Sequence, residues 1–86
     1  MGYEFIEEQR VGIIAYDVSI KDIEERKKKA LKYKTMKMAQ QRLGIGGNVL
    51  KNAAEKKLRI FSPSLNKEYA IRYMKDEERR TLSKKL

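Results

Sequence analysis

Three of the five glycines fall within four residues, Gly44, Gly46 and Gly47, between two short stretches whose apolar residues recur at helical spacing. Glycine reaches the left-handed backbone region without steric penalty, so Gly44 is placed to end a helix, and Ile45 can then fold back over a core. Upstream, Thr35 is an N-cap candidate, and Met38, Ala39 and Leu43 share one face against Lys37, Gln40, Gln41 and Arg42 on the others. Downstream, Asn48 offers a cap, and Val49, Leu50, Ala53 and Ala54 supply the buried face of a second helix ending near Lys57. The pattern predicts two short helices joined by a tight turn.

Beyond that pair, Leu58–Ser62 and Glu68–Met74 read as strands, with Pro63, Ser64, Leu65, Asn66 and Lys67 supplying the turn between them. Leu58 and Ile60 would share one face, and Tyr69, Ile71 and Tyr73 another. Before the pair, Tyr3–Arg10 reads as a helical turn and Val11–Tyr16 as a short strand. Asp17 or Ser19 would then cap a helix from Ile20 to about Lys34, Ser19 and Asp22 forming a capping-box-like pair. Its apolar stripe, Ile20, Ile23, Ala30 and Leu31, is narrow, with acids early and lysines late as the helix dipole favours. After Lys75 nearly every residue is charged or small, which predicts a frayed helix or a mobile tail.

Charge narrows the class of partner. Twenty-one Lys and Arg face twelve Asp and Glu in 86 residues, a formal balance of +9. Residues 1–26 carry three basic and seven acidic side chains, and residues 27–86 carry eighteen and five. So large an excess on one small domain repels itself unless an anion is bound, and nucleic acid is the commonest such partner. Cysteine and histidine are absent. Disulfides, zinc-finger ligation, thiol nucleophiles and the usual neutral-pH proton carrier are thereby excluded. Adjacent carboxylates such as Glu24 and Glu25, or Glu77 and Glu78, point apart on a helix and sit in no apolar surroundings that would raise a pKa. The glycine cluster lacks the spacing of a phosphate-binding loop. No enzymatic activity, cofactor or metal is therefore expected. No apolar run approaches the roughly 20 residues of a membrane span, and no signal peptide is visible, so the expectation is a soluble cytoplasmic protein without a membrane partner.

Helix, glycine turn, helix and β-hairpin in that order is the arrangement of a winged helix-turn-helix, whose second helix enters a major groove. The chain resembles the excisionase and MerR-type winged helix-turn-helix family at Thr35, Ala39, the Leu43-Gly44-Ile45 triplet, Val49 and Leu58-Arg59, over roughly residues 35–74. It differs in a turn one residue shorter, in Lys57 where that family commonly has glycine, and in the N-terminal segment. The residues after Met74 are too few for the long helix and effector domain of a MerR regulator, which leaves the excisionase-like branch. The resemblance implies a transcription regulator or a recombination factor of a phage or mobile element.

The expected fold is α+β: an N-terminal strand and helix extension over residues 1–34, a winged helix-turn-helix core over 35–75 and a basic tail over 76–86. The expected function is sequence-selective binding of double-stranded DNA, in association with the nucleoid. Asn48, Lys51, Asn52 and Lys56 would meet the groove, Lys37 and Arg42 the phosphates, and Asn66 and Lys67 would lie at the wing with Arg59 at its base. Two other readings remain open. The run Lys27–Lys29 and the hairpin aromatics Phe61 and Tyr69 suit RNA or unpaired bases, although a place in the core is the simpler account of the two rings. The acidic N-terminal segment suits contact with a second copy or with another protein, as in a phage-encoded adaptor.

Overall fold

The computed structural model describes residues 12–85, so the helical turn expected at Tyr3–Arg10 and the start of the first strand at Val11 lie outside the described residues. The architecture is α+β. In chain order the elements are β1 (Ile13–Asp17), α1 (Ile23–Lys28), β2 (Leu31–Tyr33), α2 (Met36–Leu43), α3 (Gly47–Lys56), β3 (Arg59–Ser62), β4 (Lys67–Tyr73) and α4 (Asp76–Lys85). The four strands form one antiparallel sheet in the order β2-β1-β4-β3.

Side-chain alternation gives the sheet two unlike faces. Ile13, Ala15, Tyr69 and Ile71 point to one side, where they meet Ala39 and Leu43 of α2 and Leu50, Ala53 and Ala54 of α3 in a single buried cluster. Leu31, Tyr33, Ile60 and Tyr73 pack at its margin. The register Ile13↔Tyr73, Ala15↔Ile71 and Asp17↔Tyr69 brings these side chains side by side. On the opposite side stand Ile14, Tyr16, Ala70 and Arg72, paired as Ile14↔Arg72 and Tyr16↔Ala70.

The segment expected as an N-terminal extension thus supplies β1, one of the two central strands. The helix expected over 20–34 is only the six residues of α1, none of them buried. Its N-cap is Asp22, whose carboxylate accepts from the Glu24 and Glu25 amides. Ser19 instead bonds Asp17 through both its amide and its hydroxyl. A continuous helix would have offered the core a narrow stripe with Ile23 on it. Pairing Leu31–Tyr33 against β1 brings Leu31 and Tyr33 to the core margin and leaves Ile23 65% exposed. Tertiary pairing has overridden local helical preference, which is worth only tenths of a kcal/mol per residue.

Of the alternatives held open for the C-terminal residues, a helix forms. Glu78 of α4 accepts from Arg72 Nη1 at 2.9 Å and Nη2 at 2.7 Å, and from the Lys75 amide at 2.8 Å. Arg72 Nε donates to Tyr16 Oη at 3.0 Å, and the guanidinium carbon lies 5.6 Å from the centre of the Tyr16 ring. This two-pronged pair holds the Glu78 carboxyl down at about 2, chiefly through the Arg72 hydrogen bonds and then the Lys75 amide, and it raises the pKa of Arg72. A depressed acid adds stability that is complete above the unfolded value near 4.5 and disappears as pH falls toward 2. Both side chains are about one-third exposed, and solvent screening reduces the pair to about 1–2 kcal/mol. Glu78→Gln is therefore expected to lower the unfolding free energy obtained from urea denaturation at pH 7 by that amount. The difference from the parent should shrink between pH 4.5 and 2, and a gap unchanged at pH 2 would assign the loss to something other than this ion pair.

Candidate nucleic-acid interface

The two helices begin and end for identifiable reasons. Thr35 Oγ1 accepts from the Met38 amide at 3.2 Å and starts α2. Gly44, at φ 71°, ends it, with the Gly44 and Ile45 amides both donating to the Gln40 carbonyl. Helix α3 has its N-cap at Gly46, two residues before the cap expected at Asn48, and no side chain caps it. The Gln40 side chain rests against Gly47, where a Cβ would come within 2.7 Å of its amide nitrogen. At the other end Lys57 takes φ 56°, a left-handed conformation, and the Leu58 amide closes onto the Ala53 carbonyl. Lys57 thus has the backbone geometry that glycine would serve at that place.

With Leu50, Ala53 and Ala54 turned into the core, α3 presents Asn48, Lys51, Asn52 and Glu55 as an exposed stripe at positions i, i+3, i+4 and i+7. Lys56 extends it by one turn from Asn52, and the side chains of Asn48 and Asn52 make no hydrogen bond to another described residue. Val49 was expected on the buried face but is 53% exposed, beside Asn52 on the adjoining strip of helix. Met38 was likewise expected inside and is 40% exposed on α2. Lys37 and Arg42 of α2 are also exposed. Arg42 stands on the β2 side of the helix pair, near enough to Tyr33 for its charge to oppose the rise in pKa that burial imposes on that phenol.

The hairpin does not stand out as a free wing. Ser62 is fully buried, and its hydroxyl donates to the Leu43 carbonyl at 2.7 Å while accepting from the Leu65 amide at 3.2 Å. The turn therefore sits on the C-terminal end of α2, with Ser64 and Pro63 against Gly44. Asn66 holds φ 56° within that turn and is exposed. Lys67 is occupied, since its ammonium lies 3.1 Å from Asp17 Oδ2. That bond helps to keep the Asp17 carboxyl below its ordinary range, after the larger contribution of the Ser19 hydroxyl.

Of the nine residues expected at the interface, the structure brings Asn48, Lys51, Asn52 and Lys56 onto one helix surface. Arg59 is not with them. Its register opposite Ala70 places it on the reverse of the sheet, 4.0 Å from Glu68 Oε1. Phe61, directly opposite Glu68, shares that reverse face and is 57% exposed, whereas Tyr69 is buried in the core. The core placement expected for both aromatics therefore holds for Tyr69 and is corrected for Phe61. Leu58, expected beside Ile60, is also exposed.

A groove of about 350 Å³ runs between α4 and the sheet, lined by residues that include Ile14, Met74, Glu77, Glu78 and Leu82. Of the carboxylates lining it, Glu78 is already held by Arg72. Among the described residues no three His, Cys, Asp or Glu side chains come together as a metal site, and no helix is long and apolar enough to cross a membrane. No family model, curated protein or solved structure matches the chain.

Proposed function

We propose that the chain binds double-stranded DNA in the manner of a winged helix-turn-helix, with α3 as the helix that enters the major groove. The observation that carries this reading is the division of α3: three small or aliphatic residues lock one side to the sheet, while the exposed side chains of Asn48, Lys51, Asn52 and Lys56 stand on the other. Amides of this kind pair in a two-pronged way with adenine edges, and amines reach guanine or phosphate oxygens. Exposed Val49 adds an apolar contact of the sort that thymine methyl groups accept.

The +9 balance supplies the sequence-independent attraction, with Lys37, Arg42 and Lys56 as its nearest contributors. The hairpin's part is to brace the turn between α2 and α3, since Ser62 and Ser64 engage that turn and Lys67 is held by Asp17. In this reading the protein serves the nucleoid as a small transcription regulator or an excisionase-like recombination factor.

Selecting a site from random duplexes and titrating it at several salt concentrations tests the reading. Asn52→Ala is expected to weaken the selected site by about 1–3 kcal/mol with little effect on random duplex. Lys56→Ala should weaken both and reduce the slope against log salt by about one. Equal loss on selected and random duplex for Asn52→Ala would remove α3 from base readout.

A further inference from the structure

The reverse face of the sheet carries a feature that duplex binding through α3 leaves unused. Phe61 projects from the edge strand β3 with 57% of its surface exposed. Arg59, two residues earlier on the same strand, points the same way, and cross-strand from it lies the small Ala70, followed by Tyr16 on β1. Helix α4 lies by the other end of this face, where Arg72 ties Glu78 and Tyr16 together. The result is an open aromatic ring on a low platform, with a cation about 6.6 Å along the strand.

Resting on the reading that nucleic acid is the partner, we propose that this face is a second binding site, which takes unpaired bases of single-stranded DNA by stacking on Phe61. A ring half out of water offers a flat surface to any base, and stacking of this kind tolerates every sequence. Residues Arg59 and Glu68 explain how the backbone would be held. Their 4.0 Å contact is at the limit of an ion pair and both are more than half exposed, so Arg59 can exchange the carboxylate for a phosphate at small cost. Glu68 stands directly opposite Phe61 on β4, and its charge opposes the incoming strand. Because α2 and α3 cover the opposite face, this site and the α3 surface can be occupied independently.

The test titrates the full chain with a fluorescent mixed-sequence single strand of DNA, the matched RNA and the duplex. Parent protein is expected to bind the DNA single strand. Phe61→Leu should weaken that binding about 5- to 100-fold while leaving the duplex isotherm unchanged, Phe61→Trp should restore it, and Glu68→Gln should tighten it a few-fold. Asn52→Ala should leave the single strand unaffected, which separates this site from the α3 reading. Circular dichroism at equal urea controls for folding, and the exposed position makes Leu a mild change. Unchanged single-strand affinity in Phe61→Leu would overturn the proposal, as would binding of the RNA alone or parallel loss of single strand and duplex in both variants.

Discussion

Replacing Leu50 with alanine is expected to cost about 2–5 kcal/mol of folding stability, the range found when a fully buried leucine is truncated without collapse of the surrounding shell. Leu50 has no exposed surface and belongs to the cluster shared by α2, α3 and the core face of the sheet. A chain of this size has about 5–15 kcal/mol in total, so one substitution removes a large share. The neighbouring Val49→Ala is the control, because Val49 is 53% exposed and its truncation should stay within about 0.5 kcal/mol. Urea denaturation at pH 7 reads both, with a common slope identifying a stability change and not an altered denatured state. Equal costs at the two positions would mean that α3 is rotated about its axis, and the polar stripe Asn48, Lys51, Asn52 would then lose the geometry on which groove contact depends.

That rotation is where sequence pattern was least able to decide. Ala39, Leu43, Leu50, Ala53 and Ala54 are all inside as their spacing implies, but Met38 and Val49 adjoin the same stripe and are outside. A helix of eight or ten residues lying on a sheet buries a narrow strip, and apolarity alone does not say which flank faces water. Thr35 and Gly44 were readable as boundaries because each acts through its own backbone geometry.

The sheet shows the opposite limit. Phe61 and Tyr69 look alike as hairpin aromatics, yet the four-residue turn Pro63–Asn66 sets Phe61 opposite Glu68, so the two rings leave from opposite faces. Moving the register by one residue would have sent both inward. Residues paired at long range carry no local mark either: Lys67 meets Asp17 fifty residues away, and Arg72 meets Tyr16 fifty-six away. The α3 stripe was therefore legible as a candidate site, whereas the withdrawal of Arg59 and Lys67 from it depended on pairing that only the folded sheet defines.

Gly44→Val is the second substitution with a large expected effect, about 2–3 kcal/mol, and it reports on the turn that sets α3 against α2. At φ 71° a β-branched side chain is strongly disfavoured, and the added Cβ would run into the Ser64 hydroxyl with Pro63 Cγ only 3.4 Å away. Two costs are thus combined, and they separate experimentally. Gly44→Asn keeps access to the left-handed region and should cost the least of the replacements, with Gly44→Ala between the two. Removing the Ser64 side chain by Ser64→Gly should recover part of the loss in Gly44→Val, leaving the backbone share untouched, so the double-mutant cycle has a non-zero coupling. Because Ser62 already pins the same hairpin turn to the Leu43 carbonyl, the turn cannot swing aside to make room. A valine as mild as asparagine, or a coupling of zero, would mean that the hairpin does not press on Gly44, and its bracing of the α2–α3 angle would have to be abandoned.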